Sequence, residues 1–143
     1  MKFTRILGAL LFAVALVSPF AANAAGKDGR HQVVIQVTDN DPGKWNLALN
    51  VAQNLQEAYG KDKVDIEIVA YGPGLNMLKG DSKVAARLNA AQDASVALYA
   101  CENTMKKMKV TEKDLHPGSL VAPGGGVVHI FKRQSEGWDT IRP

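Results

Sequence analysis

Apolar positions along the chain follow two alternating rhythms. Short runs rich in β-branched residues read as strands, and stretches with apolar positions three and four apart read as helices. Residues 31–38 (HQVVIQVT) carry Val33, Val34, Ile35 and Val37 and predict a first strand. The DNDPG turn at 39–43 closes it. Trp45, Leu49, Ala52, Leu55, Gln56 and Tyr59 then share helical spacing, with Gly60 as the stop. VDIEIVA at 64–70 predicts a second strand, broken by YGPG at 71–74. After a helical turn at 75–78, Asp81 or Ser82 is placed to cap a helix running to about 92. Val84, Ala85, Leu88 and Ala91 form its apolar face.

The run ASVALYA at 94–100 predicts a third, buried strand. Behind it ENTMKKMK reads as a helix, with Met105 and Met108 on one side and Lys106, Lys107 and Lys109 in solvent. TEKD at 111–114 has capping-box spacing, with Asp in place of the longer Glu. A fourth short strand is expected at 119–122, followed by a flexible PGGG loop. Residues 127–136 fit either strand or helix. Val127, Phe131 and Gln134 share a helical face, while Lys132, Arg133 and Gly137 suit a helix end, so helix is favoured. A short closing strand at 138–141 completes the alternation.

Strand and helix in turn predict a three-layer α/β/α sandwich with a mainly parallel sheet of about five strands. Right-handed crossovers bring the loops after the strands to one edge. Those loops are 39–41, 72–74, 101–103 and 124–126. Open α/β sheets place their ligand sites there.

The first 24 residues stand outside this pattern. Lys2 and Arg5 precede an apolar run at 6–17, Ser18-Pro19 breaks it, and Ala22-Asn23-Ala24 fits small-x-small cleavage. This predicts a signal peptide cleaved after Ala24, export to the periplasm, and one domain over 25–143. The alternative is an uncleaved anchor; the run is short for a membrane span. No membrane association is expected after cleavage. Removing Lys2 and Arg5 leaves fifteen Lys and Arg against fourteen acids, about +1. That balance argues against a nucleic-acid partner, and Lys106, Lys107, Lys109 and Lys113 read as a solvated face.

Composition sharpens the chemistry. The chain holds a single cysteine, Cys101, at the joint between the third strand and its helix. An exported protein with one cysteine leaves three choices: an intermolecular disulfide, an inert buried thiol, or a reactive one. A strand's carboxyl end and a helix's first turn favour the thiolate. Asn103 and Thr104 are candidate supports, by backbone N–H and by side chain, whereas Glu102 disfavours the anion. Gly72 and Gly74 are candidates for close approach, though tight turns explain them as well. Asp39 and Asp41 are candidate acids or bases that equally suit a strand end and a helix cap. His31 and His116 are expected at the opposite edge, and His129 at the surface or in packing. No Cys-His pair, no metal-ligand spacing and no CxxC motif stands out. Met77, Met105 and Met108 read as core or subunit-contact residues.

In order, VTDNDPGKWNLALN, IVAYGPGLNML, ACENTMK with its Met105-Lys-Lys-Met108 and the ending QSEGWDTIRP resemble the DsrE/DsrF-like sulfur-relay family. They look most like its small secreted members. The resemblance runs from about Val33 to Pro143 and implies the same α/β/α sandwich. It also implies a homo-oligomer, trimer or hexamer, and a persulfide carried on Cys101, with no metal and no organic cofactor. The polar Glu102, Asn103 and Thr104 depart from the small apolar residues of relay members. The donor of sulfur and the acceptor thiol are not specified by any motif. The competing expectation is a non-catalytic oligomeric binding module with a structural cysteine.

Overall fold

The computed structural model describes residues 29–143, so the leader lies outside the described residues. Five strands, β1 (His31–Val37), β2 (Val64–Ala70), β3 (Ala97–Cys101), β4 (Leu120–Ala122) and β5 (Asp139–Ile141), form one sheet in the order β4-β3-β2-β1-β5. Every neighbouring pair is parallel. The helices are α1 (Pro42–Tyr59), α2 (Ala85–Asp93), α3 (Glu102–Met108) and α4 (Gly126–Ser135), with a 3-10 turn at Gly72–Leu78. The expected α/β/α sandwich with a five-stranded parallel sheet is what the chain adopts.

Local chemistry sets the boundaries. The Asp41 carboxylate accepts the Gly43 N–H at 2.7 Å and Pro42 opens α1 without a wasted donor. Gly60, at φ 92°, ends it. The region 127–136 is helical, as favoured. Several boundaries moved, and α1 opens at Pro42, inside the turn expected at 39–43. Asp81 and Ser82 do not cap α2, which starts at Ala85 with no side-chain cap. It continues to Asp93, and the Ala94-Ser95 turn, with Ser95 at φ 65°, delays β3 until Ala97. Cys101 is therefore the last residue of β3 and the cap residue of α3. Met108, the last residue of α3 before Lys109 turns left-handed, is 38% exposed and lies outside the core.

The two sheet faces are unequal. Val33, Ile35, Val37, Ile66, Ile68, Leu98 and Ala100 pack with Trp45, Leu49, Leu88 and Met105 in the main core, so α1, α2 and α3 cover this face. Each large aliphatic buried here contributes about 1.5–3 kcal/mol. On the other face Val34 and Val69 meet Ile130 of α4, with Tyr71, Tyr99 and Trp138 around them. The chain steps from β1 to β4 in one direction along the sheet and then crosses back to β5. Right-handed crossovers require those two movements to use opposite faces. The division lies between β3, whose exit leads to α3, and β4, whose exit leads to α4. Cys101 and Ala122 are register partners across that division. The cysteine thus sits at the topological switch point.

Candidate functional site

Cys101 is 5% exposed, and its side chain faces the start of α4. A Cβ built at Gly126 would stand 3.2 Å from the Cβ of Cys101, the Cβ of Tyr71 and Cγ1 of Val69. The helix therefore rests directly on the cysteine at a position that favours glycine. Burial pushes the thiol up. Donors from Gly126 N–H, the Thr104 hydroxyl, Thr104 N–H and Asn103 N–H outweigh it and hold the thiol below its ordinary value. Three of these donors come from the first turn of α3, two being N–H groups that lack partners within the helix. The Cys101 side chain makes no capping hydrogen bond to α3.

The Thr104 hydroxyl has a defined direction. Gly72 N–H donates to Thr104 Oγ1 at 2.9 Å, which occupies an oxygen lone pair and leaves the single hydroxyl proton for the sulfur. Thr104 is buried, so this proton does not exchange its partner for water at low cost. Gly72 takes φ 55°, a backbone conformation that favours glycine.

A loop covers the sulfur from the β4 side. Asn103 Nδ2 donates to Gly124 O at 3.0 Å, and Gly124 N–H donates to the Glu102 carboxylate at 2.9 Å. The first turn of α3 thereby holds the 124–126 loop, whose Gly124 and Gly125 have φ 75° and 109°. Glu102 is not the simple opponent of the thiolate that its position suggests. Lys106 at 2.9 Å and the Gly124 N–H lower its carboxyl and screen its charge.

The structure brings Cys101, Asn103, Thr104 and Gly72 together. Gly74 packs elsewhere, its N–H on Thr38 O at 3.0 Å and its α-carbon so close to β1 that a Cβ would meet Val37 O at 2.3 Å. Asp39 is exposed, accepts from the Thr38 hydroxyl at 3.2 Å, and uses its carbonyl to anchor Trp45 Nε1 at 2.7 Å. No contact joins Asp39 or Gly74 to the sulfur.

Gly126 comes from the 124–126 loop expected at this edge, though its direct contact with Cys101 was not anticipated, and neither was Tyr71. Their signals were a glycine triplet and a tyrosine at a strand end, neither of which identifies a partner. The histidines divide. His31 stacks on Tyr59 with ring centres 4.1 Å apart, at the amino end of β1. His116 is buried before β4 with Nε2 unpaired. His129 is neither loose on the surface nor simple packing, since its Nε2 lies 2.7 Å from the buried carboxylate of Glu67. Among the described residues no His, Cys, Asp and Glu cluster is placed to hold a metal, and no helix is long and apolar enough to cross a membrane. A groove of about 430 Å³ between α1 and α2, lined by Gln56, Arg87 and Val96, lies at the amino end of β3, away from Cys101.

A profile described as the DsrE/DsrF-like family matches residues 31–143. The chain belongs to the DsrE/DsrF-like family. A solved structure described as a protein of unknown function, MTH1491 from Methanobacterium thermoautotrophicum, is 34% identical. Its match covers 79% of this chain and 99% of that one, with a TM-score of 0.75. The ychN protein from E. coli shares the fold at 11% identity, with a TM-score of 0.61 over 80% of this chain and 99% of its own. None of the curated proteins compared matches the chain. Family membership points to sulfur-relay-related work for this domain.

Proposed function

We propose that this DsrE/DsrF-like protein carries sulfane sulfur as a persulfide on Cys101. The observation that carries the reading is the place of Cys101, the last residue of β3 and the cap residue of α3, with Gly126 packed against its Cβ. That setting, at a helix's first turn, favours the thiolate, and the thiol is held below its ordinary value. The thiolate attacks a sulfane sulfur of an inorganic polysulfide. The new S–S bond forms as the polysulfide S–S bond breaks, and the shortened polysulfide leaves with the electron pair. An acceptor thiolate then attacks the outer sulfur, and Cys101 departs as a thiolate. The chain supplies one cysteine and the acceptor the other, so no metal or organic cofactor enters the step. Asn103, Thr104, Gly72 and Gly126 hold the sulfur and the loop over it.

The leader motif supports export and a periplasmic site of action. A homo-oligomer, trimer or hexamer, is part of the same proposal. Its support is the outward face of α4, where Val127, Val128 and Phe131 are 61%, 59% and 70% exposed beside the covered sulfur. The test is loading followed by release. Protein exposed to polysulfide, desalted and treated with cyanide is expected to yield one equivalent of thiocyanate, and Cys101→Ser none. Equal yields from the two would defeat the reading.

The second reading, a binding module with a structural cysteine, is favoured by the burial of Cys101. It predicts that a small electrophile alkylates the thiol only after unfolding.

A further inference from the structure

Glu67 places a carboxylate in the middle strand of the sheet, where it is 5% exposed. A buried charge of this kind persists only with close partners. Both partners come from α4. Arg133 donates through Nε at 3.0 Å and Nη2 at 2.6 Å to the two carboxylate oxygens, and His129 Nε2 lies 2.7 Å from Oε2. His129 and Arg133 are four residues apart and share one helix face. Each is held in turn. The His129 ring stacks on Tyr99 at 4.3 Å, and the Arg133 guanidinium lies 4.7 Å from the Trp138 ring centre and donates to Glu136 at 2.8 Å.

Apolar packing fixes α4 weakly. Ile130 is its buried aliphatic, while Val127, Val128 and Phe131 point away from the sheet. A helix with so little buried apolar surface can slide by fractions of an ångström at small cost. The bidentate pair is what sets its position, because Arg–carboxylate geometry is directional. The same helix begins at Gly126, one turn before His129, against Cys101.

We infer that Glu67 is a positioning residue for the sulfur: by gripping Arg133 and His129 it fixes α4 along its axis and so keeps the Gly126 N–H on Cys101. The inference rests on reading Cys101 as a thiolate carrier. Direct electrostatics has the opposite sign. Removing the negative charge of Glu67, and leaving Arg133 and His129 behind, would favour the thiolate at Cys101. Loss of a donor through displacement of α4 disfavours it. The charged groups of α3 nearest the sulfur, Glu102 and Lys106, are paired to each other and unchanged by the substitution.

The experiment is the pH dependence of iodoacetamide alkylation of the native protein. Wild type, Glu67→Gln, Arg133→Gln, which leaves the His129 contact in place, and Arg133→Lys are compared, with a thermal melt for each. The expected result is a wild-type inflection below that of an ordinary cysteine. Glu67→Gln is expected to shift it up by about half a pH unit, about threefold slower alkylation at a fixed pH below both inflections. Arg133→Gln is expected to shift it the same way, but loss of a cation acts in that direction too. Arg133→Lys, which keeps the charge and loses the bidentate grip, is expected to shift it up as well and supplies the reading if Glu67→Gln does not fold. A lowered wild-type inflection that stays put or falls further in the folded variants overturns the positioning role alone. A wild-type inflection at or above the ordinary value instead overturns the carrier reading.

Discussion

At Thr104 one hydroxyl links two loops. It accepts from Gly72 N–H and donates toward the sulfur, so its replacement separates two effects. Thr104→Val leaves the Gly72 N–H without a partner, a cost of about 1–3 kcal/mol in stability. It also removes a donor from the thiolate and moves the alkylation inflection up. Thr104→Ser is expected to retain both. Chemical denaturation and an alkylation pH profile on the two variants check this, and a Val variant with the wild-type inflection would remove the hydroxyl from the account. The sequence made Cys101, Asn103 and Thr104 legible because they are adjacent, and the first turn of a helix is a local feature. Gly126 was not legible as a sulfur contact. Its role depends on α4 crossing the far face of the sheet, which no spacing between positions 101 and 126 encodes. Glu67 left a clue of another kind, a charge inside an apolar strand, but its partners lie more than sixty residues away.

At the scale of elements, the turn after β2 is set by contact with the strand beside it. Gly74 lies so close to Val37 O that any side chain displaces backbone, not a flexible side-chain end. Gly74→Ala is expected to destabilise by about 1–3 kcal/mol, with the thiol inflection unchanged because no contact joins residue 74 to the sulfur. A melt combined with the alkylation profile distinguishes this from a role at the site. Strands rich in Val and Ile, and an α1 capped by Asp41 and stopped by Gly60, were readable from residue type, whereas Pro42 read as part of the turn and not as the helix's first residue. The start of α2 was not, since Asp81 and Ser82 offered a capping pattern that the turn before Ala85 does not use. The region 127–136 was ambiguous for a physical reason: of its apolar residues Val127, Val128 and Phe131 face outward and only Ile130 packs on the sheet, so their pattern reports mostly on something other than the core of this chain.

At the scale of the whole molecule, the order β4-β3-β2-β1-β5 puts the sulfur where the chain departs to opposite faces. The alternation of strand and helix predicted the carboxyl edge; the register supplied the switch point between β3 and β4. If the outward face of α4 meets another copy, Phe131→Glu is expected to lower the mass measured by light scattering while leaving the helical circular dichroism intact. Acid stability follows from His116. Burial lowers its folded value below the ordinary value of about 6.5. Between those two values the unfolded chain binds more protons, so stability is complete above pH 6.5, falls as the pH drops through that window, and levels off below the folded value. His116→Gln is expected to flatten that part of a denaturation-against-pH curve.

The central claim is that a single sulfur, on Cys101, gains and gives up a second one. Intact mass spectrometry of the reduced protein after brief exposure to polysulfide addresses it most directly, with Cys101→Ser alongside. The account predicts an added mass of one sulfur on the wild type alone, lost again on reduction. An unchanged wild type whose thiol alkylates only after unfolding, or an equal gain on Cys101→Ser, would contradict it.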